Sequence, residues 1–296
     1  MAQAPATPKR KRAALLAAAA ISPAWADRLS PAPSERAALA LRAASGPRRP
    51  AQQVIFLVPL VGPQHVGDWG AVVERLTATL ESFRRQDGAW QAVICCQQRP
   101  PLPDDPRIHW LPFDDPAPGN DKWRKLAMLC DHLADMDTGP AYVMSFDADD
   151  LLRDGTVAQM LAGDAPGWLV ETGYVMDHAT GTVALAGPRS LAMPLRKPFW
   201  KLCGSCAAIY HDPALPQSAR FLREMTAHEH RMFPYLARLA GAPLRPLAQP
   251  SVLYVLNHGE NFGARRGRVG FKTRFVQRFA LESSDWARVS TAFPSP

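Results

Sequence analysis

The sequence has no apolar run long enough to cross a bilayer. Its most apolar stretch near the start, residues 13–21, is mostly Ala and falls well short of the roughly 20 residues a spanning helix needs. Cysteine is scarce: the five residues (95, 96, 130, 203, 206) are odd in number and lack framework spacing, which argues against a disulfide scaffold and for a reducing compartment. Cys203-Gly-Ser-Cys206 has the spacing of a redox pair or zinc half-site, but no second ligand pair accompanies it, so it reads as structural. No His-Glu-x-x-His and no internal repeat is present. Val61-Gly-Pro-Gln-His-Val66 is not the Gly-rich, Arg- and Lys-containing loop that a sugar nucleotidyltransferase would want after its first strand. No basic stripe is interleaved with aromatics, which counts against a nucleic-acid partner.

What is present is an ordinary globular composition, 47% hydrophobic and 21% charged, in a chain long enough for one sizeable core. The 29 prolines crowd the loops and the start of the chain. The net charge of +7 gathers at the two ends, in Lys9, Arg10, Lys11 and Arg12 and in Arg265, Arg266 and Arg268. Such an excess attracts acidic partners, nucleotide phosphates or anionic lipid among them. The basic run, the apolar residues 13–21 and Ala24-Trp25-Ala26 together have the layout of a secretory signal. The reading preferred here is a flexible basic tail over residues 1–53 that makes peripheral membrane contact. It runs through a Pro-, Ala- and Arg-rich linker with a short helix at 34–43, and the folded domain spans 54–296.

From residue 54 the pattern alternates. Residues 54–60 are apolar and branched, as in a buried parallel strand. Val72, Val73, Leu76, Leu80 and Phe83 share one helical face, and Asp87-Gly88 closes that helix. Strands are expected at 91–96 and 107–113, a helix at 122–133 and a strand at 142–146. This order predicts an α/β fold with a Rossmann-like, mainly parallel sheet. Further on, helices are expected at 154–161, 218–226, 230–239 and near 271–281, with strands at 168–177, 182–186 and 252–256.

Asp147-Ala148-Asp149-Asp150 directly follows the strand at 142–146. Ligands bind beyond the carboxyl ends of the strands in such sheets. Alternate carboxylates there can converge on a hard divalent cation, Mg²⁺ or Mn²⁺, which offsets the charge growing on a leaving diphosphate. The alternative is a solvated acidic turn. Lys122, Arg124 and Lys125 open the helix after the third strand, where a helix N-terminus with cations can meet phosphate.

Four stretches resemble, in order and over most of residues 54–261, the GT-A glycosyltransferases of the inverting family-two type. They are the opening strand with Pro59 and the helix end Thr79-Leu-Glu-Ser-Phe-Arg-Arg-Gln86; the strand and Asp-X-Asp-Asp of 142–151; Glu229-His230 with Gly241 downstream; and Val252-Leu-Tyr-Val-Leu-Asn-His-Gly-Glu-Asn261. The resemblance implies a GT-A fold in a single domain with a mixed, mainly parallel sheet. It implies transfer of a sugar from a nucleotide-diphosphate donor to a glycan or other hydroxyl acceptor, with a hexosyltransferase-like activity in surface-glycan or polysaccharide synthesis. Because such donors are cytoplasmic, it also implies a cytoplasmic protein.

Residue by residue, it places the metal on Asp149 with Asp147 and His258, and the donor on Pro59, Asp147, Lys122 and Lys125. The catalytic base is His230 or Glu229, and Trp200, Gly204 and Ser205 line the acceptor side. Asp147 could instead meet the ribose, and Asp150 could be structural. Two departures stand out. Cys96-Gln97-Gln98 occupies the place of the family's base-recognising acid, and His230 that of its catalytic Asp; an imidazole can take the acceptor's proton. His228-Glu229-His230 is an alternative metal site. A retaining transferase and a non-catalytic sugar- or nucleotide-binding protein on the same scaffold also remain open.

Overall fold

The computed structural model describes residues 3–44, 46–115, 120–136, 138–259 and 269–295. The charge cluster Arg265, Arg266 and Arg268 and the motif end Glu260-Asn261 lie outside the described residues. The chain opens with α1 (Lys9–Ile21), α2 (Pro23–Asp27) and α3 (Pro33–Ala44). There follow β1 (Gln53–Pro59), α4 (Trp69–Arg84), β2 (Trp90–Cys96), β3 (Ile108–Pro112), α5 (Lys122–His132) and β4 (Ala141–Ser145). Then come β5 (Asp150–Leu152), α6 (Thr156–Leu161), β6 (Gly167–Leu169), β7 (Gly173–Asp177), β8 (Thr182–Ala186) and β9 (Ala207–His211). The chain continues through α7 (Pro216–Thr226), α8 (Phe233–Leu239), β10 (Arg245–Pro246), β11 (Val252–Leu256), α9 (Val269–Arg278) and α10 (Ser283–Ser290).

Val54 to Val58 of β1 are all fully buried, as a strand covered on both faces must be. It pairs in parallel with β2 and β4 at the centre of a seven-stranded sheet ordered β10-β6-β9-β4-β1-β2-β3. Within it β9 alone runs against its neighbours, so the fold is the expected α/β with a mixed, mainly parallel sheet. The apolar face of α4 closes over it. Phe83 stacks on Phe56 with ring centroids 4.0 Å apart and meets Phe146 edge-on at 5.1 Å, geometries that add to burial. A second sheet, β5-β11-β7-β8, forms beside it.

The single strand expected over 168–177 is instead two. Trp168 and Leu169 pair with β9 and β10 in the first sheet, whereas 173–177 pair with β11 and β8 in the second. Periodicity cannot show a change of sheet inside one apolar run. Gly173 sits where the ring of Phe199 leaves no room for a side chain.

Residues 9–44, expected as a flexible tail and linker with a short helix at 34–43, form three packed helices, the last of which, Pro33–Ala44, is that helix. Leu15, Ala19, Ala26, Ala38, Leu39 and Leu41 are buried in the main core, and α3 lies against α7 and α8. The alanines of these helices are small surfaces for close helix packing. The basic run is partly absorbed as well: Lys11 donates to the Ser30 carbonyl at 2.8 Å, and Arg12 lies over the Tyr235 ring. Glu35 is fully buried and accepts from Ala32 N (2.8 Å), Thr7 Oγ1 (2.6 Å) and Tyr235 Oη (2.9 Å). Glu35→Ala strands these donors. Since hydrogen bonds to a charged group contribute about 1.5–3 kcal/mol each, urea denaturation should show a loss of roughly 2–4 kcal/mol; an unchanged midpoint would mean that the helices do not belong to the fold.

Candidate active site

The acidic loop leaves β4 at the carboxyl end of the sheet and is clamped from below by α4. Thr79 Oγ1 donates to the Asp150 carbonyl (2.8 Å), and Ser82 Oγ accepts from Leu152 N (3.0 Å). The Gln86 amide spans Arg153 O (2.9 Å) and Val157 N (3.1 Å). Thr79 and Ser82 lie on the buried face of α4 and Gln86 just beyond its C-terminus, so these polar side chains are what fix the loop. From above, Ser205 holds two of its members: its Oγ accepts from Asp147 N at 2.9 Å and donates to Asp150 Oδ2 at 2.5 Å. Cys203 Sγ also reaches Asp150 Oδ2, at 3.0 Å. The cysteine pair is therefore structural in place: all five cysteines are buried and free, and burial pushes the Cys95 thiol up to about 12 and the Cys203 thiol well above its ordinary value.

The three carboxylates separate electrostatically. Burial, then the charges of Asp149 and Asp147, raise the Asp150 carboxyl well above the usual range. Burial also acts to raise Asp147, but the Lys122 ammonium, 2.5 Å from its Oδ1, outweighs it and holds the carboxyl below the usual range. Asp149 Oδ2 lies 2.8 Å from His258 Nε2. His258 is turned back to it by Asn257, whose left-handed backbone (φ 62°) is pinned by its amide on Asp177 Oδ2 at 2.9 Å. One ligand atom from each of Asp147, Asp149 and Asp150 lies within 4.8 Å of the others, the one such group of His, Cys, Asp or Glu among the described residues. Asp150 Oδ1 is buried with no hydrogen-bond partner among them. Hard oxygen donors at these separations, one of them orphaned, suit a divalent cation, so the cluster could hold a metal ion. His258 adjoins it through Asp149.

A cavity of about 330 Å³ opens over the cluster. Pro59, Lys122, Asp147, Asp149, Gly204, Glu229, His230 and His258 all line it. A Cβ at Gly204 would stand 3.3 Å from Asp147 Oδ2, a tight contact that the carboxylate would have to yield to. Burial, then the cations Lys122 and Arg231, pushes His230 down to about 3. Its imidazole is thus neutral at ordinary pH, and its Nε2 is buried without a partner among the described residues.

Three other expected residues do not face this space. Lys125 is fully buried, with its ammonium on Leu60 O (2.6 Å), Gln97 Oε1 (2.8 Å) and Asp121 Oδ2 (2.8 Å); it shapes the wall and offers no proton to a phosphate. Ser205 is fully buried as the loop's brace, and Trp200 packs under Lys201, whose ammonium lies 4.9 Å from its ring, outside the lining. The alternative metal triad also dissolves, because His228 Nε2 bonds Ser34 Oγ at 2.7 Å.

No family model matches the chain, and no curated protein matches it in sequence. Similar solved structures include the apo form of the glycosyltransferase GlyE from Streptococcus pneumoniae TIGR4, at 11% identity over 83% of this chain and 66% of that one, with a TM-score of 0.34. Another is 4-diphosphocytidyl-2C-methyl-D-erythritol synthase, at 13% identity over 75% of this chain and 99% of that one, with a TM-score of 0.32. Likenesses this distant assign no family and no activity.

Several lining residues carry no sequence signal. Lys272, from α9, donates to Tyr254 Oη at 2.6 Å beside the carboxylates. Burial and the neighbouring acidic groups keep the Tyr254 phenol well above its ordinary value, and burial lowers Lys272. Arg75 holds the His258 carbonyl at 2.7 Å. Gln3 lines the cavity on the His228 side, where Ala4 N donates to Ala227 O at 2.8 Å.

Proposed function

We propose that the chain is a metal-dependent glycosyltransferase. It moves a sugar of hexose type from a nucleotide-diphosphate donor to an acceptor hydroxyl, with inversion, in surface-glycan or polysaccharide synthesis. The observation that carries this reading is the meeting, in one cavity, of Asp147 and Asp149 of the carboxylate cluster with the neutral imidazole of His230, whose Nε2 has no hydrogen-bond partner among the described residues. Asp149, with Asp147 and His258, would hold Mn²⁺ or Mg²⁺, which supplies positive charge against the departing diphosphate. Lys122 and Lys272 line the same cavity and would bind the phosphate oxygens, with the Tyr254 phenol holding Lys272.

His230 Nε2 accepts the acceptor's proton as the hydroxyl oxygen bonds to the anomeric carbon; the bond from that carbon to the diphosphate breaks and its electron pair leaves with the diphosphate. Attack from the face opposite the leaving group inverts the centre. Glu229, whose Oε1 lies 3.8 Å from Arg231 Nε, orients the histidine turn. Both ends of the Gln97 amide are engaged, on Lys125 and on Asp121 Oδ2 at 2.6 Å. The acid for base recognition is therefore assigned to Asp121, which lines the cavity.

Calorimetry across nucleoside-diphosphate sugars, with Mn²⁺, Mg²⁺ or a chelator, tests the reading. One donor should bind only with the cation and be consumed when an acceptor is added. No binding under any condition defeats the proposal; cation-dependent binding without turnover on any hydroxyl, water included, points to a binding protein.

A further inference from the structure

Four of the seven large hydrophobic side chains most exposed among the described residues gather at one place: Leu191, which is fully exposed, Met193, Leu195 and Phe271. Residues 188–195 are exposed without a break. They are not a loose loop. Gly187 N donates to the Lys197 carbonyl at 2.9 Å and closes the excursion at its base; Met193 N donates to Ser190 O at 3.1 Å, and Arg196 N to Met193 O at 3.2 Å. Arg196 Nε anchors the finger to Leu185 O at 3.1 Å. Nothing among the described residues covers the apolar tip, and native surfaces seldom leave such a patch without a partner.

The surroundings indicate which partner. No acidic residue occurs between 188 and 201, while Arg189, Arg196, Lys197 and Lys201 do. The Lys197 ammonium lies 3.8 Å from the Phe271 ring centroid, and Arg231 Nε donates to Lys201 O at 3.3 Å. Burial, followed by repulsion from Arg231, Arg189 and Lys201, lowers the Lys197 ammonium. Glu229 Oε1 lies 3.8 Å from Arg231 Nε. An apolar tip inside a ring of cations matches acyl chains beneath anionic headgroups. The other exposed apolar residues, Ile21 and Trp25 on α1 and α2 and Leu29 in the turn after them, form a smaller set in which the acid Asp27 stands beside the exposed Arg28, while Lys11 and Arg12 are engaged internally.

We propose that the finger at 188–197, with Phe271 and its cationic collar, docks on an anionic lipid surface. Because Arg231 joins the collar to the turn that carries His230, docking turns the acceptor side of the cavity toward the bilayer. The acceptor would then be a hydroxyl compound held in that surface. This last clause rests on the glycosyltransferase reading; the docking does not.

The full chain should co-sediment with vesicles of phosphatidylcholine and phosphatidylglycerol, far less with phosphatidylcholine alone, and less as salt rises. L191S/M193S/L195S and, separately, R189E/K197E should each weaken vesicle binding by about tenfold or more, with unchanged circular dichroism, while I21S/W25S leaves it intact. Equal binding by the finger variants, loss of binding in I21S/W25S alone, or no binding of the wild type overturns the proposal. So does a concentration-dependent dimer that the triple variant abolishes in the absence of vesicle binding. No donor enters the vesicle assay, so its outcome is separate from that of the calorimetric screen.

Discussion

Asp149→Ala should abolish cation-dependent donor binding while leaving the protein folded. Its carboxylate is partly exposed but pairs with the nearly buried His258 imidazole, so its removal takes a partner from a buried ring and should lower stability by about 1–3 kcal/mol, with the chain still folded. The proposed cation would lose one of its carboxylate ligands. Changing a residue that merely orients a ligand already weakens metal sites by about 10- to 100-fold. With a ligand itself removed, the dissociation constant of a nucleoside diphosphate measured with Mn²⁺ should rise by at least about 100-fold, while the value in chelator stays the same. Asp150→Ala should behave differently. That residue is fully buried and accepts from Ser205 and Cys203, so its removal costs stability first and ligand affinity through the collapse of the loop. If Asp149→Ala bound donor and cation like the wild type, the metal assignment would be wrong at its centre.

The parts of this site that were legible are those that use a period or a run. The fully buried β1, the α4 face that ends in Phe83 and the strand leading to Asp147 announce themselves by apolar patterning, and the acidic cluster by its position after a strand. What was not legible depends on contacts between distant segments. Ser205 looks like any small residue near a wall, yet it is the brace for two aspartates nearly sixty positions earlier. Lys125 stands three residues from Lys122 and carries the same charge, but its ammonium turns inward to Leu60 O and Asp121. Lys272 arrives from a helix beyond the last strand. The helix at 34–43 was legible, but the packing of the N-terminal helices hides for a related reason: alanine packs well against other helices, and a run of it shows no apolar stripe set against a polar side to betray a buried face. The buried acceptor Glu35 is the residue that could have exposed them, since an acid amid alanines needs partners from elsewhere.

His230→Ala should lower turnover by about 100- to 10,000-fold, the range for a general base, with the cation-dependent affinity for donor unchanged. Glu229→Gln, which keeps the shape of the histidine turn, should retain most of the rate; the reverse pattern would move the base to Glu229. The pH profile adds an independent check. In the free protein, burial and the Lys122 and Arg231 cations hold His230 at about 3, so it stays unprotonated down to that pH and kcat/KM should show no acid limb near 6.5 from this residue. A bound diphosphate brings negative charge beside Lys122, which shifts an imidazole upward. The acid limb of kcat, which reports the loaded enzyme, should therefore lie at higher pH than that of kcat/KM and vanish in His230→Ala. The same depressed value makes the fold acid-sensitive. Between about 6.5 and 3 the unfolded chain takes up a proton that the folded one refuses, so stability from this group is complete above 6.5 and declines as pH falls, and the alanine variant should lose less stability over that window than the wild type.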